Sequence, residues 1–292
     1  YALGFLGLTL IPLFQNLGKA PVHVFFNAVT IDQFSTLVKI IMVIGTMGSI
    51  LLSRTSKDIY TNLKSEFAIL AVGVLIGGML LASANNMLTM YLGIEILSIL
   101  SYVMATLKRD ESTSAEAGLK YILYGGLTAG IALFGMSHIY GALGSIQFVD
   151  VVDKVGSLQG VQLYIVMASF VLFFAGLGYK ISAFPFHMWS PDVYQGSPIP
   201  VTTFFSIVPK LAGLAALIRV SMVFFTNNTI LMNSWVGLIL VVAAMTMTVG
   251  NVTAIGQNSV KRMLAFSSIG HVGLMILGVA VLNEAGIRAI IF

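Results

Sequence analysis

Apolar residues fall in long runs separated by short polar intervals, and most runs approach the roughly 20 residues a helix needs to cross a bilayer. They predict helices over residues 1–16, 30–52, 66–83, 86–107, 114–142, 163–183, 198–225, 234–257 and 259–281, with a last one beginning near 285. That makes about ten spans. Asn85-Asn86, Asn227-Asn228 and the Lys-Arg-Asp-Glu run at 108–111 punctuate them. No interval is long enough for a soluble domain. The pattern predicts an all-α, polytopic transmembrane helix bundle, read as a single transmembrane domain over 1–292. Tyr1 is not an initiator methionine and Ile290-Ile291-Phe292 stops within an apolar run, which reads as part of a longer polypeptide. No cleavable signal peptide is visible.

Composition narrows this further. The chain is 58% apolar and 9% charged, against roughly 25% charged in soluble domains, which excludes a water-soluble fold. With no cysteine, disulfides, cysteine-ligated zinc and thiolate-held clusters are excluded. His23, His138, His187 and His271 lie in separate segments without metal-ligand spacing. The net charge of +4 comes from loop residues, with no basic tract dense enough for nucleic acid. One set of loops carries Arg54, Lys57, Lys64, Lys108, Arg109, Lys261 and Arg262, and the opposite set only Lys19 and Lys154. The richer set is expected to face the cytoplasm, matrix or stroma, placing Tyr1 on that side and the 143–162 loop outside. Glycines within the runs (Gly73, Gly77-Gly78, Gly126-x-x-x-Gly130, Gly176, Gly178) suit close helix–helix contact. None has the strand-to-helix context of a phosphate loop.

Charges inside the apolar runs carry the functional signal, since each costs on the order of 3 kcal/mol at the bilayer centre. Glu95 shares a helical face with Tyr91, Ser98 and Tyr102, a polar stripe that belongs against protein or water. The alternative is a neutral carboxylic acid that only joins helices. Lys180 precedes Ile-Ser-Ala-Phe-Pro-Phe-His, and Pro185 should break the helix because it lacks an N–H and clashes with the carbonyl of residue 181. An interruption is expected within 180–186, with 184–197 returning into protein. Snorkelling is the alternative for this lysine. Lys210 sits mid-helix on the face of Thr203 and Ser206. Lys120, one turn after Glu116, suits either an ion pair or a functional role. Lys39 reads as structural. Lys261 shares a face with Ser268 and His271, and His271 could relay protons; His138 and His187 are assigned no role. Lysine rather than arginine is informative, because a lysine can release its proton and an arginine cannot.

Four stretches carry a family resemblance. They are Tyr-Leu-Gly-Ile-Glu-Ile-Leu-Ser (91–98), Gly-Leu-Lys-Tyr (118–121), Gly-Tyr-Lys-Ile-Ser-Ala-Phe-Pro-Phe-His-Met-Trp-Ser-Pro-Asp-Val-Tyr-Gln-Gly-Ser-Pro-Ile-Pro-Val-Thr (178–202) and Asn-Ser-Val-Lys-Arg-Met-Leu-Ala-Phe-Ser-Ser-Ile-Gly-His-Val-Gly (258–273). Over about 66–281 the chain resembles the antiporter-like membrane subunits of respiratory complex I, and Pro-Asp-Val-Tyr-Gln-Gly resembles the N-type among them.

The resemblance implies two inverted five-helix repeats, the first over 66–225 and the second beginning within 234–292, with a discontinuous helix at Lys180. It implies that Glu95 pairs with Lys180 and that Lys210 continues a hydrated path along the membrane midplane. Lys120, and less directly Lys261 and His271, join this proton relay. The second repeat's broken helix falls beyond the chain. The implied function is a proton-translocating membrane-arm subunit of an NADH- or ferredoxin-driven quinone oxidoreductase, a translocase. No cofactor is expected in this chain, with FMN, iron–sulfur clusters and quinone held by partner subunits. Implied partners are homologous antiporter-like subunits, other membrane-arm subunits and a peripheral redox arm, without nucleic acid. The location would be a lipid membrane, the bacterial inner membrane first, with mitochondrial inner or thylakoid membranes as alternatives. A multisubunit sodium/proton antiporter or membrane-bound hydrogenase shares the Glu/Lys core, although Asp-Val-Tyr-Gln-Gly disfavours it. A scaffold with inert charges is the reading from a different class.

Overall fold

The computed structural model describes residues 1–108 and 110–291. Arg109, one of the orientation-setting cations, and Phe292, the end of the last apolar run, lie outside the described residues. The elements run α1 (Ala2–Asn16), β1 (Val22–Val24), β2 (Val29–Ile31), α2 (Gln33–Thr55), a 3-10 turn (Thr61–Leu63), α3 (Lys64–Ala82), α4 (Met87–Ala105), α5 (Ser112–Leu143), α6 (Phe148–Gly156), α7 (Gly160–Ile181), α8 (Trp189–Gly196), α9 (Ile199–Phe224), α10 (Thr229–Ile255), α11 (Val260–Ala280) and α12 (Glu284–Ile291). Among the described residues, eight helices are long and apolar enough to cross a membrane, making this a multi-pass integral membrane protein. The expected count of about ten included the first and last runs. These form helices of 15 and 8 residues, short of a full crossing.

Local chemistry sets several boundaries. Asp32 caps α2 reciprocally: its carboxylate accepts the Ser35 amide at 2.7 Å while its own amide donates to Ser35 Oγ at 3.1 Å. In each asparagine pair read as turn punctuation, the second residue is a helix cap. Asn86 accepts the Thr89 amide at 2.6 Å, and Asn228 accepts those of Ile230 and Leu231.

The chain divides into two units. The first comprises Tyr1–Tyr124 and Asp192–Ala215. Here α3 and α4 approach at glycine: a Cβ on Gly77 would lie 2.7 Å from the Leu97 amide nitrogen, and one on Gly93 2.8 Å from that of Leu81. Strands β1 and β2 form an antiparallel hairpin, an element the helical reading did not foresee because three-residue strands leave almost no period-2 signal. It docks on the α3–α4 turn through Thr30 N–H to Ser83 O (2.8 Å) and Asn85 N–H to Ala28 O (2.9 Å). Phe67 meets Phe204 edge-on, with ring centroids 6.5 Å apart, in the buried core. On the basic-loop side, the Asp58 carboxylate takes the Lys108 ammonium at 2.6 Å and the first amide of α9, Ile199, at 2.7 Å. Partial burial works against the charged form of Lys108, but its hydrogen bonds to Asp58 and Glu111 outweigh that and raise its pKa.

The second unit comprises Gly125–Pro191 and the chain from Ala216 onward. Its α10 and α11 pack along their length. The expected outer loop at 143–162 contains α6, an amphipathic helix that buries Phe148, Val151 and Val155 on one face. Lys154 Nζ donates to the terminal carbonyl of α5, Leu143, at 2.7 Å. Phe170, Phe224, Phe225 and Trp235 form an aromatic cluster. Within it the Phe225 and Trp235 rings stack at 4.2 Å, and the indole N–H donates to Ser221 Oγ at 3.0 Å. Of the glycines expected at helix contacts, Gly176 is packed on Ala132, whereas a Cβ on Gly126 or Gly130 would meet nothing within 4 Å.

Candidate functional site

The interruption falls where Pro185 dictates. A proline cannot follow the carbonyl four residues before it in helical register, and α7 ends at that residue, Ile181. Ser182 adopts the left-handed conformation (φ 61°), which costs a non-glycine residue about 1–2 kcal/mol. Its amide donates to Tyr179 O at 3.1 Å and that of Ala183 to Gly178 O at 2.8 Å, closing the last turn. Gly178 is needed here because a Cβ would sit 2.9 Å from the Phe186 ring folded back over the helix end. The released backbone finds partners. Phe184 N–H donates to Thr246 Oγ1 of α10 at 3.0 Å, while that hydroxyl donates to Val242 O at 2.6 Å. The Trp189 indole N–H returns to Tyr179 O at 2.9 Å, tying the start of α8 to the end of α7. Most of 184–197 is buried, as expected for a segment that re-enters protein; Pro185, Met188 and Gln195 are exposed.

Lys180 sits in the last turn of α7, fully buried, with its ammonium 5.6 Å from the Tyr179 ring centroid. Around the break, three buried polar atoms have no protein hydrogen-bond partner among the described residues: Ser182 Oγ, His187 Nδ1 and Ser190 Oγ. Buried polar groups require partners, and a cluster of this kind suits ordered water.

The first unit holds three of the expected residues. Glu95 on α4 is half-buried and accepts a hydrogen bond from the Tyr91 hydroxyl, so these two members of the polar stripe are joined. Ser98 donates instead to Ile94 O of its own helix, and the Tyr102 ring packs edge-on against Tyr121 at 4.8 Å. Lys210 on α9 is 3% exposed, with its ammonium 5.4 Å from the Tyr194 ring centroid, within cation–π range. It directly follows Pro209, which lies inside the helix. Thr203 and Ser206, expected to share its face, donate to carbonyls of their own helix.

Lys120 on α5 is gripped by two carboxylates, Glu116 Oε1 at 2.7 Å and Asp192 Oδ2 of α8 at 2.7 Å, with about a third of its side chain exposed. The second unit holds Lys180 together with Lys261, half-buried, and His271, exposed, both on α11. Sequence reasoning singled out neither Asp192, Tyr194 nor Pro209, and it considered His187 but assigned it no role. Asp192 and Tyr194 stand within three residues after Pro191, where a re-entrant segment was already expected.

Residues 84–292 match the family model described as NADH:quinone oxidoreductase/Mrp antiporter, TM. NADH-quinone oxidoreductase subunit N of Bartonella bacilliformis is 40% identical over 99% of this chain and 59% of its own length. Its namesake in Beijerinckia indica is 37% identical, with the same two coverages. Among solved structures, a chain of respiratory complex I from Thermus thermophilus with bound aureothin superposes with a TM-score of 0.80 at 32% identity, over 99% of this chain and 60% of that one. A chain of the Mrp complex from Dietzia superposes with a TM-score of 0.82 at 21% identity, over 99% of this chain and 55% of that one, a likeness of fold. The chain thus spans about three fifths of the length of the curated relatives it matches. With the family model covering more than two thirds of its residues, the chain belongs to the membrane-spanning NADH:quinone oxidoreductase/Mrp antiporter family.

Proposed function

We propose that this chain is part of a proton-translocating membrane-arm subunit of a complex-I-type quinone oxidoreductase, in which Glu95, Lys180 and Lys210 pass protons near the membrane midplane. One observation carries the reading: Lys180 is fully buried at the interrupted end of α7, and the segment that follows carries Ser182, His187 and Ser190, whose buried polar atoms suit water. A lysine in such a place can hold a proton when a carboxylate faces it and release one when that carboxylate withdraws. In this mechanism Glu95 is the carboxylate. With it ionised and near, Lys180 keeps its proton; with it distant, the proton leaves through water toward Lys210. Tyr91 orients Glu95 by its hydrogen bond, and the Tyr194 ring steadies the charged form of Lys210. The break lets the end of α7 shift without unravelling its upper turns, because its backbone bonds run to Thr246 and to Tyr179, and not into a continuing helix.

The two-repeat reading belongs to this proposal, with 66–225 as one inverted repeat and 234–292 as the start of the other. So do Lys261 and His271 as its continuation along α11. FMN, iron–sulfur clusters and quinone belong to partner subunits, and the partners are homologous antiporter-like subunits and a redox arm, in a bacterial inner membrane. The relatives' names support this assignment: they are subunits of an NADH-quinone oxidoreductase.

The test is proton pumping by vesicles carrying the assembled complex with Lys180→Arg, Lys180→Ala or Glu95→Gln. Pumping should fall at least tenfold in each. Normal pumping by Lys180→Arg would show that only the charge matters and would end the switching mechanism. A sodium/proton antiporter, the second reading supported by the family description, is separated by purification in mild detergent. Copurifying flavin and iron–sulfur subunits support the first reading; their absence supports the second.

A further inference from the structure

Between α1 and α3 lies an apolar cleft of about 410 Å³, walled by Phe5, Leu6 and Thr9 on one side and Ile69, Val72 and Ile76 on the other. Nothing polar is left to satisfy inside it, since the Thr9 hydroxyl donates to Leu6 O at 2.8 Å. Along α3 the lining runs from Ala68 to Met79, about 16 Å at ~1.5 Å per residue. That is about half of the ~30 Å hydrocarbon core, the depth of one leaflet.

The cleft has a charged end. Lys64 occupies the same face of α3 one turn before Ala68, in i, i+4 register with Ala68 and Val72. Its ammonium donates to Arg54 O at 2.8 Å, which draws the last turn of α2 to the first turn of α3. The Arg54 side chain and Lys57 are exposed beside it. Two acids lie nearby: Asp58, engaged by Lys108 and the Ile199 amide, and Glu66 in the first turn of α3. Three cations on and between the facing ends of α2 and α3, at the end of α3 from which the apolar slot runs, match the two ends of a single anionic lipid molecule.

We propose that this cleft binds one anionic phospholipid, an acyl chain lying between α1 and α3 and its phosphate held by Lys64, Arg54 and Lys57. The slot supplies shape and the cations supply selection. Zwitterionic lipid satisfies the first and gains little from the second. The site's lining does not include Glu95, Lys180 or Lys210, so failure of the site would leave the proposed function untouched.

The experiment uses the full-length subunit in its purified complex, reconstituted in vesicles of phosphatidylcholine mixed with phosphatidylglycerol. A photoreactive benzoylphenylalanine replaces Ile69 in one preparation and Ile76 in a second, so a poorly assembling variant does not decide the outcome. Mass spectrometry identifies the cross-linked species. Phosphatidylglycerol should be captured about tenfold over its share of the vesicle, and Lys64→Ala with Arg54→Ala should remove that preference, since each cation near the surface contributes roughly fivefold. Capture of the two lipids in proportion to their abundance would reduce the cleft to ordinary lipid contact and overturn the proposal. Capture of a protein segment, from this chain or a neighbour, would overturn it too.

Discussion

Lys120 and Lys180 are the same residue type inside helices long and apolar enough to cross a membrane, yet they differ in burial. Lys120 is bracketed by two carboxylates at 2.7 Å and keeps about a third of its side chain exposed. Lys180 is sealed from solvent, with its ammonium near the Tyr179 ring. Two close carboxylates fix a positive charge, whereas a buried lysine depends on whatever charge is near it at a given moment. The difference teaches that a membrane lysine's burial and immediate partners say more about its role than its position in the hydropathy profile. Lys120 and Asp192 join α5 to the re-entrant α8, which suits a fastening that keeps its charge. Lys180 is the better candidate for a group whose charge changes.

The sharpest way to break this contrast is to exchange lysine for arginine at both positions in the assembled complex. Arginine keeps the charge and the reach but does not release a proton. Lys180→Arg should lower vesicle proton pumping at least tenfold, and Lys120→Arg, which can still bridge Glu116 and Asp192, less than threefold. Equal losses at the two sites would erase the distinction.

That contrast was only partly legible in the sequence. Pro185 four residues after Ile181 announced the break, because a missing amide and a steric clash act locally whatever the tertiary context. The Glu116–Lys120 spacing announced one of the two ion pairs for the same reason. Asp192 lies 72 positions from Lys120, and no local rule pairs residues at that separation. Long apolar runs located the eight crossing helices. The hairpin, α6 and α8 were lost because three- to nine-residue elements carry too few periods to register. The spacing put Thr203 and Ser206 on the face of Lys210 but could not show that their hydroxyls are taken up by carbonyls of their own helix.

A second test removes the fastening instead of its charge type. Lys120→Met leaves Glu116 and Asp192 facing each other without their shared cation. The expected loss is about 2 kcal/mol, between the values for exposed and buried pairs. Asp192→Asn, which keeps one acceptor and half of the charge cluster, should cost about half as much. Both would appear as lower thermal midpoints of the detergent-solubilised complex, with pumping per assembled complex largely preserved. Pumping abolished in well-assembled Lys120→Met would keep Lys120 in the relay that the resemblance implies.

On the Lys180 side the matching structural change is Trp189→Phe, which keeps an aromatic ring but deletes the indole bond to Tyr179 O. The buried carbonyl loses this acceptor contact at the helix end, for about 1 kcal/mol. If the break is part of the mechanism, this variant should also change the rate of pumping relative to quinone reduction, which Lys120→Met should not. An unchanged ratio would argue that the end of α7 is held by Thr246 alone.

The smallest effect is expected at Asp58, outside the membrane-crossing helices, where the comparison can be read through pH. Lys108 gains Asp58 and Glu111 as partners, and its pKa is raised. A raised cation contributes stability that is fully present below its unfolded value, near 10.4, and is lost as pH climbs through the higher folded value. Asp58 also accepts the Ile199 amide at the start of α9, a capping bond that does not depend on Lys108. Asp58→Asn should therefore keep the cap, lose about 0.5 to 1 kcal/mol at neutral pH, and weaken the steep alkaline loss of stability. Asp58→Ala should lose the cap as well, adding about 1 kcal/mol. Thermal midpoints of the purified complex at pH 7 and at the highest pH it tolerates separate the two contributions. If Asp58→Asn and wild type fell in parallel with rising pH, Lys108 would owe its charge to Glu111, and Asp58 would serve only the helix.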